Sequence, residues 1–171
     1  IRAIGTAIKV ALALLRCGEQ QARPFLDLCQ AAAPSLPAVH LVQAEYLLQI
    51  GRPGRALTAY RRALRLTAQP PSPPDPQVVR QLWESSQSCQ VTCQQCFKQA
   101  EPLSPCCPFC ASPLHQHELL VDRYGLAEAP QAAVAHMGIA DILAGRGQPG
   151  RALRHLDAVL GLLPENHAAR E

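Results

Sequence analysis

The sequence is poor in the residues that build sheets. Aromatic residues make up 4 % of its 171 positions and β-branched residues are also few, so a strand-rich sandwich or barrel finds little support. It also lacks an uninterrupted apolar stretch long enough to cross a bilayer as a helix, which leaves no membrane-spanning candidate. The formal net charge is only +3, far from the dense basic footprint of a dedicated nucleic-acid binder. There is no glycine-rich phosphate loop, nucleophile elbow, H-E-x-x-H helix or convincing carboxylate pair, so the residues do not point to an enzyme.

Alanine and leucine are abundant instead, and the 16 prolines fall mainly between apolar periodic stretches rather than inside them. That balance favours helices. The chain is long enough to bury a core without help from a metal. It opens at Ile1 and stops at Glu171 in what reads as the start of another helix, so the expectation is an excerpt of a longer protein.

One phrase occurs twice. Gly51-Arg-Pro-Gly-Arg-Ala-Leu57 returns as Gly147-Gln-Pro-Gly-Arg-Ala-Leu153, with six of seven residues identical. The same offset of 96 superposes His40 on His136, Ala44 on Ala140, Glu45 on Asp141, Leu47 on Leu143, Leu64 on Leu160 and Leu66 on Leu162, which makes this a repeat. Each copy has an apolar helical stretch before the glycine (39–50 and 134–144) and another after it (55–66 and 151–162). The unit is therefore a helix-turn-helix: glycine suits a left-handed C-cap, and Pro53 and Pro149 suit the first turn of the next helix.

The positions Ala44, Gly51, Ala56, Tyr60, Ala63 and Leu64 resemble the tetratricopeptide (TPR) signature, and the second copy matches with Ala140, Gly147, Ala152, Leu156, Leu160 and Pro164. His40 and His136 stand where that signature has tryptophan, and Val159 replaces one small residue. Moving back 34 residues from Ala56 reaches Ala22. With the apolar stretch 3–15, Gly18 and Pro34, it suggests a degenerate third unit. The expectation is an all-α chain with two TPR-like helix pairs over 3–70, a Pro-rich linker and Cys-rich insertion over 71–131, and a third pair over 133–166. The resemblance implies a right-handed superhelix of helical hairpins in which each pair buries its apolar face on the next.

Six of the eight cysteines crowd between Cys89 and Cys110. Their core reads Cys93-Gln-Gln-Cys96, ten residues, then Cys107-Pro-Phe-Cys110. A C-x-x-C turn presents two sulfurs to one metal, and two such turns complete the tetrahedral shell of a structural zinc ion. The phrase from Cys107 to Leu114 resembles a zinc ribbon or rubredoxin-like knuckle, with Ala111 where glycine is usual. Free thiols, a disulfide or a redox dithiol are the alternatives, although no strand pattern of the redox type surrounds either pair. Cys106 is a possible substitute for Cys107, and Cys89, Cys106, His115 and His117 are the residues from which a second metal site would have to be built. Cys17 and Cys29, at apolar spacing, read as small core residues.

In TPR arrays the first helices of successive pairs line a groove for a partner's peptide or helix. That resemblance places Leu41, Glu45, Leu48, Met137 and Asp141 in such a groove, with packing between helices as the alternative for Leu41, Leu48 and Met137. An acidic-tail clamp is disfavoured, because the first helices of the second and third units have no lysine, arginine or asparagine. The arginines gather on the second helices (Arg55, Arg61, Arg62, Arg65, Arg151, Arg154) and read as solvated charges. The function expected is thus a non-enzymatic protein–protein scaffold with one structural Zn²⁺ and other proteins as partners, without membrane or nucleic-acid binding. Reduced thiols suggest the cytoplasm or nucleus. The alternative is a ubiquitin-pathway or nucleic-acid-binding module in which the zinc ribbon is the reader.

Overall fold

The computed structural model describes residues 2–18, 22–166 and 169–170. Residues 19–21 of the first expected helix pair, and most of the helix start expected near Glu171, lie outside these. In chain order the elements are α1 (Arg2–Cys17), α2 (Ala22–Ala32), α3 (Pro37–Gln49), α4 (Pro53–Leu66), α5 (Pro76–Ser88), β1 (Val91–Thr92), β2 (Gln99–Ala100), α6 (Leu120–Arg123), α7 (Gln131–Gly145) and α8 (Pro149–Leu162). The described residues are mostly helical, with one two-stranded sheet, and the class is all-α. No described helix is long and apolar enough to cross a membrane.

The chain forms two compact units that cut across the division expected from its repeats. Residues 1–34 and 72–119 make unit 1, while residues 35–71 and 120–171 make unit 2. The hairpin α1/α2 therefore groups with the Cys-rich excursion rather than opening a row of three pairs. The physical reason lies in α5, which packs against both α1 and α2. Its Asp75 caps the helix by accepting from the Gln77 N–H at 2.9 Å, Pro76 starts the first turn, and Leu82 is fully buried. In the same unit α2 buries Phe25, Leu26 and Cys29, and α1 buries Ile4, Ala7, Val10, Ala11, Leu14 and Leu15.

In unit 2 the repeated phrase gives two superposable turns. Gly51 and Gly147 both have φ +68°, and Arg52 and Gln148 send their N–H back to Leu47 and Leu143 at 2.8 and 3.0 Å. The left-handed glycine closes each first helix, and a proline with preset φ opens the second. Amphipathic α4 buries Ala56, Leu57, Ala59, Tyr60 and Ala63, whereas α7 is buried on nearly every side. Helix α7 packs against α3, α4 and α8, so the core runs along it. The ring of Tyr60, fully buried, fits where Gly138 has no side chain: a Cβ there would stand 2.4 Å from Tyr60 Cζ.

Two imidazoles meet between α7 and α8, His136 Nδ1 and His155 Nδ1 being 2.8 Å apart, so one ring donates to the other. Desolvation holds His136 below its ordinary value of 6.5, and desolvation followed by the charges of His136, Arg61 and Arg151 does the same for His155. The unfolded chain therefore takes up these protons first as pH falls. The contribution of these two rings to stability should be flat above about pH 7 and should decline as pH drops through the ordinary value of 6.5. Urea titrations at several pH values check this, and a His136→Asn, His155→Asn variant should lack that slope. Gly138→Ala should cost about 1–3 kcal/mol through forced movement of the Tyr60 ring, read from the same unfolding curves.

Candidate functional site

The metal-type cysteines sit on two knuckles of the same local geometry. In the first, the Cys93 N–H donates to Lys98 O at 3.0 Å and the Phe97 N–H to Cys93 O at 2.9 Å; in the second, Cys107 N–H donates to Ser112 O at 2.8 Å and Ala111 N–H to Cys107 O at 2.9 Å. Each loop closes only if the residue after its second cysteine turns left-handed, and Phe97 and Ala111 do so at φ 59° and 60°. Non-glycine residues pay about 1 kcal/mol or more for that conformation. A short antiparallel ladder, Val91 with Ala100 and Thr92 with Gln99, holds the base of the first knuckle, and a Cys106–Pro113 bridge holds the second.

The four sulfurs converge. Cys93 and Cys110 Sγ are 3.6 Å apart, as are Cys96 and Cys107 Sγ, and all four lie within 4.8 Å of one another. Four thiolates about 2.3 Å from one tetrahedral ion would stand about 3.8 Å apart, so the set can hold a metal ion with a complete sulfur shell. Donors act unequally on two of the thiols. The Ser112 hydroxyl and then its N–H lower Cys110 to about 6. The Lys98 N–H pulls Cys96 down, but desolvation and the neighbouring thiols together outweigh it and leave that thiol raised to about 12.

Cys107, 2 % exposed, belongs to this cage, whereas Cys106 is exposed and outside it. No second cluster joins Cys89, Cys106, His115 and His117 among the described residues. His115 Nε2 lies 3.2 Å from Pro102 O, and the His117 ring packs on Gly18, leaving no room for a Cβ there. The N–H groups of Gln116 and His117 both reach Arg16 O at 2.8 Å, so the end of the module ties to the last turn of α1. Cys17 and Cys29 are buried in unit 1, and burial pushes the Cys29 thiol up to about 12. Phe97 and Phe109 are 79 % and 58 % exposed and pack into no core, with Lys98 Nζ 4.6 Å from the Phe109 ring centre.

The residues expected to line an open groove are placed differently. Leu41, Glu45 and Met137 are 8 %, 4 % and 2 % exposed, and Leu48 and Asp141 are half-buried. The chain's own stretch from Leu120 to Leu126 covers them. Leu120 and Leu126 join the cluster that contains Leu41, Val134 and Met137. Glu45 Oε2 accepts the Leu120 N–H at 3.0 Å, its Oε1 accepts the Tyr60 hydroxyl at 3.1 Å, and Asp141 Oδ1 accepts the Tyr124 hydroxyl at 2.5 Å. Arg123 reaches Asp141 at 3.7 Å. Burial raises Glu45 above the usual carboxylate range, and burial followed by its bond to Asp141 raises Tyr124. Sequence reasoning treated 117–124 as part of the insertion and missed this role. The only available signal was the apolar spacing of Leu119, Leu120 and Leu126 around Tyr124 in a polar stretch.

Comparison with protein-family models, with the curated proteins and with solved structures finds no match in any of the three.

The four thiols can thus hold one metal ion, and α3 and α7 seat the chain's own segment 120–126 by its backbone and its side chains. Refolding with a divalent soft cation should load one ion per chain, and Cys93→Ser or Cys107→Ser should abolish loading, as read by elemental analysis of the desalted protein. Because thiolates must lose protons to bind, acidifying from about pH 8 to about pH 5 should release the ion to a chromophoric chelator.

Proposed function

We propose that this chain is a protein–protein interaction scaffold built from TPR-like helix pairs and stiffened by one structural zinc ion. The observation that carries the reading is the seating of residues 120–126 on α3 and α7. A short polypeptide stretch is held there by a carboxylate on its first N–H, a carboxylate on its tyrosine and a lining of leucine, valine and methionine. This is the kind of grip by which helical-hairpin arrays take peptides, and Leu41, Glu45, Met137 and Asp141 provide it here. The in-chain segment stands where a partner's segment of similar chemistry would lie. The right-handed superhelical stacking of such arrays belongs to this same reading.

Zinc is the favoured ion because a closed shell of four thiolates suits a soft tetrahedral cation and leaves no coordination position for catalysis. Its role is then to order the excursion, with apparent binding free energies on the order of 10 kcal/mol for such sites. Reduced thiols in that role fit the cytoplasm or nucleus. A second reading, in which the zinc ribbon itself reads ubiquitin or single-stranded nucleic acid, draws on the exposed Phe97 and Phe109. Against nucleic acid stands the lone Lys98 in the ribbon.

A labelled peptide of sequence 117–128 tests the groove. It should bind a Leu120→Ala, Leu126→Ala chain, whose own segment is weakened, at least tenfold more tightly than it binds the unaltered chain. A Tyr-to-Phe change in the peptide should weaken it. Equal binding to both chains, with the variant folded by circular dichroism, would falsify the groove reading. Salt-dependent anisotropy of a single-stranded oligonucleotide that is abolished by Phe97→Ser would favour the second reading instead.

A further inference from the structure

Helices α4 and α8 of unit 2 carry six arginines, Arg55, Arg61, Arg62, Arg65, Arg151 and Arg154, and a single acid, Asp157. All six are exposed. None makes an ion pair among the described residues. Exposed helices usually interleave both signs, because like charges three and four residues apart repel. Arg61 and Arg62 stand four and three residues before Arg65, on the side away from the buried Ala56, Leu57, Tyr60 and Ala63.

The type of cation is equally one-sided. Lys9 and Lys98 are the only lysines of the sequence and both belong to unit 1, so every basic side chain of unit 2 is arginine. Arginine presents a planar fork that grips a carboxylate with two hydrogen bonds and is more weakly hydrated than an ammonium group. The arginines of the two helices also converge. Both helices pack on α7, and Arg61 and Arg151 together act on the His155 ring. From the end of α7, the Arg146 guanidinium reaches the start of α4, 3.2 Å from where a Cβ on Gly54 would stand. Next to Arg154 in the chain stands one large apolar side chain of α8, Leu153, 58 % exposed.

We infer that this outer face of unit 2 docks an acidic amphipathic segment of a partner protein, its carboxylates taken by the arginines and an apolar side chain set on Leu153. Charge complementarity calls for a polyanion. The exposed Leu153 favours a protein segment over a nucleic acid, and α4 and α8 expose no aromatic ring on which a base could stack. The face uses the outer sides of α4 and α8 rather than the groove residues, so it stands or falls independently of the peptide-holding groove.

The test uses the full chain with zinc and a fluorescein-labelled peptide of about 20 residues repeating Glu-Leu-Glu-Glu. The comparators are the same peptide with serine for leucine and a single-stranded DNA of similar length. Anisotropy should show the leucine peptide binding more tightly than either comparator, and weakening between about 50 and 200 mM salt. Arg62→Ser with Arg154→Ser should weaken it at least tenfold. Leu153→Ser should weaken the leucine peptide several-fold and leave the serine peptide unchanged. All these positions are solvent-exposed, so circular dichroism should be unaltered. Binding that survives the arginine changes, that ignores leucine in the peptide, or that is matched by the DNA overturns the proposal.

Discussion

Glu45 is a carboxylate on a helix whose buried residues are otherwise apolar apart from His40, and such a group is tolerated only when each oxygen has a donor. Its two donors come from different parts of unit 2. The Tyr60 hydroxyl fixes α4 against α3, and the Leu120 N–H fixes the point at which the chain returns from its long excursion. Losing either donor would leave a buried charge short of a partner, at a cost of roughly 1–3 kcal/mol. The same Tyr60 ring needs the bare backbone of Gly138, so α7 is placed by the consequence of the same interaction. Three helices and the returning segment thus depend on one carboxylate.

The Cys-rich stretch is organised on another principle. Between Cys89 and Leu119 it buries few apolar side chains, Val91, Ala100 and Leu114 among them, and its strands are only two residues long. What concentrates there instead is sulfur, brought to one point by two backbone loops with the same hydrogen bonds. Two residues in those loops accept a left-handed conformation, and for Phe97 the ring gains no burial in return. The module is anchored at its far end by two N–H groups on a single carbonyl at the last turn of α1.

Much of this was legible from residues alone, where local chemistry decides the outcome. Glycine followed by proline gave both turns of unit 2, because left-handed φ and preset φ are properties of single residues. The spacing of Cys93, Cys96, Cys107 and Cys110 singled out the four converging sulfurs, because a C-x-x-C turn has few shapes. Less visible was anything that depends on which face meets which. Leu82 on α5 marks a buried side without naming α1 and α2 as its partners. Glu45 and Asp141 read as groove acids, and only the fold shows that Leu120 and Tyr124 of the same chain are what they hold.

The interleaving of the two units sets an order on synthesis. Residues 35–71 are made before 72–119, yet they belong with 120–171, while residues 1–34 must wait for 72–119. At translation rates of roughly 5–20 residues per second, α3 and α4 emerge several seconds before the helix that covers them. During that interval the hairpin has no permanent cover for Leu41, Ala44 and Tyr60. A nascent chain of this design therefore spends its most adhesive moment while the thiol-rich stretch is being made.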